Sequence, residues 1–200
     1  TLRRLLREVS HRSKNLLAII QSIAAQTGRY SPDIDVFLER FNGRLQSLAS
    51  SQDLVTSSNW RGAMLSKLVE GQIARFRGDA DEGVVFEGVD VHFNPNAALH
   101  VGLALHELVV NSMSHGALSR ADGHVRLTSE FVNGKTSGSP LLLTWSEQTG
   151  AEAVRSQKRF GSVALERVVP VSVEGTAEFN FEGDHLEYRL EVPASNFETL

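Results

Sequence analysis

The chain has 200 residues, a formal net charge of −4, 41% hydrophobic and 22% charged residues, and no cysteine. That supplies enough apolar material for a core without metal or disulfide staples, and enough length for one large or two small domains. The acidic balance argues against a nucleic-acid binder, which carries a basic face, and the missing cysteines exclude a disulfide framework, a thiolate nucleophile and a thiolate metal site. No run approaches the roughly 18 apolar residues of a membrane span. The opening "TLRRLLREVS" lacks the apolar segment and cleavage site of a signal peptide. A cytoplasmic protein without a membrane segment is expected. Because the helical pattern is already running at Thr1, an upstream portion is expected too.

In chain order, Leu2, Leu5, Leu6, Val9, Leu16, Leu17, Ile20, Ile23 and Ala24 recur at three- and four-residue intervals. That spacing predicts an amphipathic helix. "TGRYSPD" (27–33) interrupts it, with Gly28 as the expected C-cap and Ser31-Pro32 as the next helix start. A second helix is predicted through Ile34, Phe37, Leu38, Phe41, Leu45, Leu48 and Leu54, making an antiparallel hairpin. Its exposed apolar seam would be covered economically by dimerisation into a four-helix bundle. The texture changes near residues 57–63, where a domain boundary is placed: 1–60 and 61–200.

Beyond it, a short helix leads to "GVVFEGVDVHF" (83–93), read as strands around a turn. Residues 94–118 are helical, with Pro95 in the first turn. Residues 123–132 and 140–147 read as strands, 150–161 as a polar loop and 162–169 as a helix. Two alternating strands close the chain around "EGD" (182–184). The expected class is α+β: a helical hairpin followed by an α/β sandwich with helices on one face of a mixed sheet.

Two site types fail on inspection. There is no Gly-rich phosphate loop with a following Lys-Ser/Thr, and "HELVV" has Val110 where a zinc-protease helix needs its second histidine. His100 and His106 are six apart and do not face one another on a helix. More informative is "LALHELVVNSMSHGALS" (103–119), where Glu107 and Asn111 stand four apart and can share one side of a helix. Such a pair of hard oxygen ligands suits magnesium and its waters. From spacing alone, however, it reads first as an ordinary solvent-facing pair.

Several separated motifs, in order, carry a resemblance. "HRSKNLLAIIQS" is similar to a phosphoacceptor box, and "FNGRLQSLASSQDLV" with "NWRGAMLSKLV" to a second hairpin helix and its exit. His106 in "LALHELVVN" and Trp145 and Glu147 in "LTWSEQTG" supply the three name letters, and "HGALS" and "RFGSVALERVV" match later motifs. Together they resemble the catalytic core of a two-component sensor histidine kinase of the HWE family. The resemblance implies a dimerising phosphotransfer hairpin presenting His11, then an ATP-binding domain of the GHKL type. ATP and Mg²⁺ are the implied cofactors, with Asn111 holding the metal and Glu107 acting nearby on a metal-bound water or the attacking histidine. Glu147 would accept from the adenine amino group, and Gly150 would let the nucleotide approach. His115 and Gly116 would bring backbone close to it, and Gly161 and Ser162 would open a helix facing phosphate. Trp145 and His106 would pack or brace.

His11 would attack the γ-phosphate of ATP and pass the phosphoryl group to an aspartate on a response regulator, with Arg12 and Lys14 attracting phosphate. Asn15, one turn on, would orient the water that hydrolyses the regulator's phosphoaspartate. A homodimer and an upstream sensor domain are implied partners. Some positions depart from the family pattern. Arg12 follows His11 where many histidine kinases have an acid, leaving Glu8 as a base or as one half of a helix salt bridge. Ser114 replaces a lysine, "QTGAEA" replaces paired glycines and a proline, and Arg159 replaces the first glycine of "GFGS". These departures motivate an alternative: a phosphotransfer or scaffold protein whose ATP domain no longer binds nucleotide.

Overall fold

The computed structural model describes residues 2–77, 83–134, 138–150 and 160–200. The chain forms two compact units, Thr1–Gln46 and Ser47–Leu200. The division falls inside a helix, upstream of the expected boundary at residue 60.

The first unit holds α1 (Leu2–Arg29) and the beginning of α2 (Ile34–Ser57). Two details differ from expectation. Helix α1 runs through Gly28 to Arg29, so Gly28 is not the C-cap. Helix α2 is capped by Asp33 rather than started at Ser31-Pro32: Val36 N–H donates to Asp33 Oδ1 at 2.9 Å. A carboxylate here satisfies an otherwise orphaned amide. The hairpin is pinned near its turn, where Arg40 Nη1 donates to the Tyr30 carbonyl (2.9 Å) and Arg44 Nη1 to Thr27 Oγ1 (3.3 Å). Phe37 and Phe41 stack one turn apart, 5.4 Å between centroids.

The second unit contains the rest of α2, β1 (Ala63–Met64), α3 (Leu65–Arg77), β2 (Val84–Gly88), β3 (Val91–Phe93) and α4 (Pro95–His115). Next come β4 (Val125–Phe131), β5 (Leu141–Gln148), α5 (Phe160–Val163), a π-helical turn (Ala164–Val168) and α6 (Val169–Val173). The hairpin β6 (Thr176–Glu182) and β7 (His185–Val192), then β8 (Phe197–Thr199), complete it. Five strands make a mixed sheet in the order β2-β4-β5-β7-β6, in which β2 runs parallel to β4 and the remaining pairs are antiparallel. Alternation along β4 and β5 turns Val125, Leu127, Leu143, Trp145 and Glu147 inward, as the period of two requires. α4 covers this face and is buried almost without interruption from Ala97 to Val109.

The segment read as strands around a turn does form two strands, on either side of residues 89–90, but they part there. β2 joins the five-stranded sheet, whereas β3 joins a second sheet ordered β1-β3-β8. The two strands are successive but not paired. Asp90 stands at the switch, where its carboxylate accepts from its own neighbour Val91 N and from Ser66 N, both at 3.0 Å.

Between α2 and β1, residues 58–62 fold back tightly. Trp60 N–H donates to the Val55 carbonyl at 2.9 Å and Gly62 N–H to Ser58 Oγ at 3.2 Å. Asn59 and Trp60 both sit at positive φ, at a cost of about 1–2 kcal/mol each that these bonds and neighbouring packing offset. Gly62 has φ +123°, and a Cβ there would stand 1.7 Å from the Phe93 carbonyl oxygen. Gly102, in α4, is a useful contrast: its Cβ would meet the Ser51 hydroxyl oxygen at 2.1 Å, a side-chain end that can turn away at the cost of its bond to Gln72, while alanine returns about 1 kcal/mol of helix propensity. Gly62→Ala is therefore expected to destabilise by about 2–4 kcal/mol in urea unfolding and Gly102→Ala by no more than about 1. Equal costs would show that the Gly62 backbone can relax.

Candidate active site

Helix α4 begins on Asn94, whose side chain accepts from Ala97 N–H at 2.8 Å, with Pro95 in the first turn. A long apolar run then seats the helix in the core. Toward its C-terminal end it carries Glu107, 2% exposed, and one turn later Asn111, exposed. Against this pair lies the backbone of Gly161: a Cβ built there would be 2.9 Å from Glu107 Oε2 and 3.6 Å from both Asn111 amide atoms. A side chain here would have to push the Glu107 carboxylate aside, and no left-handed φ is involved. Ser162 follows, half-buried. The helix expected from residue 162 begins earlier, at Phe160, and the start of α5 sits beside the Glu107 and Asn111 side chains of α4.

Glu147 forms a second centre. Trp145, two residues earlier on the same face of β5, donates its indole N–H to Glu147 Oε2 at 3.2 Å. The Ser112 hydroxyl also bonds the carboxylate, and that hydroxyl accepts from Leu118 N–H at 3.1 Å. Gly116 closes the third side, since a Cβ there would lie 2.2 Å from Glu147 Oε1. Burial raises the Glu147 carboxyl above its ordinary range, against the lowering effect of the Ser112 and Trp145 hydrogen bonds. The acid is oriented by three neighbours and kept out of bulk water.

The other anticipated residues are more dispersed. His115 and Ser114 are exposed in the last turn of α4. Gly150 has φ +72°, and the space a side chain would need is held by the guanidinium of Arg120, which also donates to the Gln148 carbonyl at 3.0 Å. Arg159 lies outside the described residues. His11 and Asn15 belong to the first unit, both exposed, with Asn15 Nδ2 3.4 Å from His11 Nδ1. Glu8 is ion-paired with Arg12 along the helix, one of the two roles open to it.

His106 does not face this site. It is 4% exposed, packs its ring 5.5 Å from that of Phe76, and accepts from Arg75 Nη1 at 3.4 Å. Arg75 also donates to Gln72 Oε1 (3.0 Å), which accepts from Ser47 Oγ (3.1 Å). His106 is a bracing residue, bonding α4 to α3, which in turn holds the last turns of α2.

The comparisons follow this geometry. Residues 8–90 match the family model described as HWE histidine kinase. Over that segment the chain is similar to that family. It is 30% identical over 193 residues to a blue-light-activated histidine kinase of Rhizobium johnstonii, covering 96% of this chain and 54% of that protein. A protein of the same description from Brucella anthropi is 29% identical over 188 residues, covering 94% and 38%. The chain therefore spans about half, or less, of the length of these relatives. The histidine kinase domain of the Erythrobacter litoralis EL346 blue-light activated histidine kinase superposes with a TM-score of 0.62 at 20% identity, covering 96% of this chain and 92% of that one. The fold is that of histidine kinase catalytic domains. Of the three family letters, Trp145 and Glu147 are hydrogen-bonded to each other, and His106 braces the helix that carries Glu107.

Two residues at the site were not anticipated. Ser112 is masked by its place in a run of small and polar residues, although it directly follows Asn111. Arg120 sits in a loop with no motif to mark it. Among the described residues no group of three or more histidine or acidic side chains could hold a metal, and no helix is long and apolar enough to cross a membrane.

The sign of the Glu147 shift sets a test. A carboxyl raised above its ordinary value of 4.5 on folding binds its proton more tightly in the folded state. Its contribution to stability is full below that ordinary value and is lost as pH rises through the raised folded value. Glu147→Gln is expected to remove this decline, leaving the variant at least as stable as wild type near neutral pH. Urea midpoints across about pH 4–8 measure it; identical pH slopes in the two proteins would contradict the assignment.

Proposed function

We propose that the chain is the core of an ATP-dependent histidine kinase that phosphorylates His11 and passes the phosphoryl group to an aspartate of a response regulator. The observation that carries this reading is the convergence of Glu107, Asn111 and the Gly161 backbone in the same unit as the clamped Glu147. Residues 1–60 act as the phosphotransfer hairpin and 61–200 as the GHKL-type nucleotide domain.

The residues fit a magnesium nucleotide. Asn111 offers an amide oxygen and Glu107 a carboxylate one turn away, a sparse set suited to an ion that keeps several waters and phosphate oxygens as ligands. Bound there, Mg²⁺ would neutralise charge on the nucleotide phosphates. Glu147 accepts from an exocyclic amine, a role for which its fixed orientation is suited, because Trp145 and Ser112 already donate to the carboxylate. Gly161 and Ser162 bring backbone toward the phosphates, and Gly116 and His115 border the base side. His11, exposed on α1, supplies the imidazole nucleophile. Phosphoryl transfer of this kind needs positioning and charge neutralisation more than covalent chemistry. Asn15, already within reach of His11 Nδ1, orients the water that hydrolyses the regulator's phosphoaspartate.

Leu5, Leu6 and Val9 on α1 are 60%, 61% and 60% exposed in the single chain. Their stripe supports a homodimer formed through the hairpin. A cytoplasmic location and an upstream sensor domain complete the reading. The Arg120 guanidinium against Gly150 favours one alternative, a phosphotransfer scaffold whose nucleotide site is filled by its own side chains.

Incubation with γ-labelled ATP and Mg²⁺ is expected to give an acid-labile, base-stable label that is absent in His11→Gln and reduced about 100-fold in Asn111→Ala. Wild-type labelling of His11→Gln would overturn the assignment. Failure of the wild-type chain to bind Mg-ATP by calorimetry would favour the scaffold.

A further inference from the structure

The helical segment that begins beside Glu107 and Asn111 is irregular, and its irregularity has a chemical cause. In an α-helix the Leu165 carbonyl would accept from Val169 N–H. Here Val169 N–H donates instead to Ala164, five residues back, which makes the turn Ala164–Val168 π-helical. In that wider register the donor to Leu165 would be residue 170, and residue 170 is proline, which has no N–H. Leu165 is fully buried, so no water can satisfy the carbonyl, and an orphaned acceptor there would be destabilising.

The missing donor comes from across the sheet. Tyr188, on β7 and 2% exposed, donates its hydroxyl to the Leu165 carbonyl at 2.7 Å. Its backbone register is opposite Trp145, the residue whose indole holds Glu147. Phe179 packs on the Tyr188 ring at 4.9 Å between centroids, fixing its direction. Burial and the nearby Glu166 carboxylate raise the phenol above its ordinary range, so it stays a donor. Leu165 is one turn beyond Gly161, so this bond anchors the helix immediately behind the glycine that touches the α4 pair.

We propose that Tyr188 is a positioning residue of the nucleotide site: its hydroxyl replaces the N–H that Pro170 lacks, holding the π-turn and thereby the placement of Gly161 against Glu107 and Asn111. The inference rests on the reading of that site as nucleotide-binding. It makes one demand that a general packing role does not. Giving residue 170 an N–H must make the Tyr188 hydroxyl dispensable.

The test is a double-mutant cycle in the full chain with Tyr188→Phe, Pro170→Ala and both together. In the wild-type background, Tyr188→Phe is expected to lower the thermal midpoint by about 2–4 °C. It should also move the Gly161 backbone and Asn111 side-chain amide resonances and weaken Mg-ATP binding about 5- to 10-fold. In the Pro170→Ala background the same change should shift the midpoint by less than about 1 °C and affinity by less than about 2-fold, and leave the resonances in place. Equal penalties in both backgrounds, or unmoved Gly161 and Asn111 resonances in Tyr188→Phe, would overturn the proposal. Melting and resonance positions require no nucleotide. A wild-type chain that fails to bind Mg-ATP would therefore count against the functional reading, while these two measurements still decide the role of Tyr188.

Discussion

A helix buried along most of its length can carry a polar side chain only where a partner waits for it. Helix α4 meets this constraint at each polar position that matters. His106 is answered by Arg75 and Phe76, Ser112 by Glu147 and the Leu118 amide, and Glu107 lies against the start of α5. Each leaves α4 in a different direction, so the helix is hydrogen-bonded to α3 and to the central strand and lies against the start of α5. Its rotation about its own axis is then determined, and with it the direction in which Asn111 faces outward. Packing alone would not do this, because the Leu, Val and Ala side chains around the helix are similar in shape and tolerate small rotations.

Much of this was legible in the residues because the relevant periods are local. Asn94 and Pro95 mark the start of α4, alternation marks β4 and β5, and the four-residue step from Glu107 to Asn111 puts both on one side. What could not be read depends on partners distant in sequence. The alternation of 84–93 is real, but nothing in a two-residue period says that β2 and β3 enter different sheets. Gly28 has the composition of a C-cap, yet α1 continues through it, and the cap of α2 falls to Asp33. Arg120 gives no local signal, and its guanidinium reaches Gly150 only because the loop after α4 runs past the end of β5. The π-turn is a further case, for "SVALERVVP" has helical spacing. Only the proline at its end hints that the ladder must change register.

The family match over 8–90 crosses from the first compact unit into the second. Within the second unit, Ser47 and Ser51 of α2 hydrogen-bond with Gln72 of α3, which is 1% exposed. Gly102 leaves room for the Ser51 hydroxyl beside α4. The last turns of α2 are thus structural members of the unit that carries Glu107 and Glu147. A sequence boundary drawn where composition changes, near residue 60, follows the end of a helix. Contacts follow which groups are desolvated together, and these need not coincide.

The site also runs against stability in a way that packing by itself would not select. Glu147 is an acid held in a buried setting, and its raised proton affinity records the cost of ionising it there. An amide or an apolar side chain would fill the same volume at lower cost. Two donors offset part of the penalty, one from Trp145 and one from Ser112, and Gly116 removes the atom that would collide with the carboxylate. Three residues, Trp145 on β5 and Ser112 and Gly116 at the C-terminal end of α4, are thus committed to one charge. Such a commitment is intelligible if the acid must accept a hydrogen bond from something outside the protein, because a donor arriving at a desolvated carboxylate gains more than it would at the surface. The same logic explains why Trp145 stands two residues before the acid: on a strand that spacing places both on the inner face, and the indole N–H can then reach across.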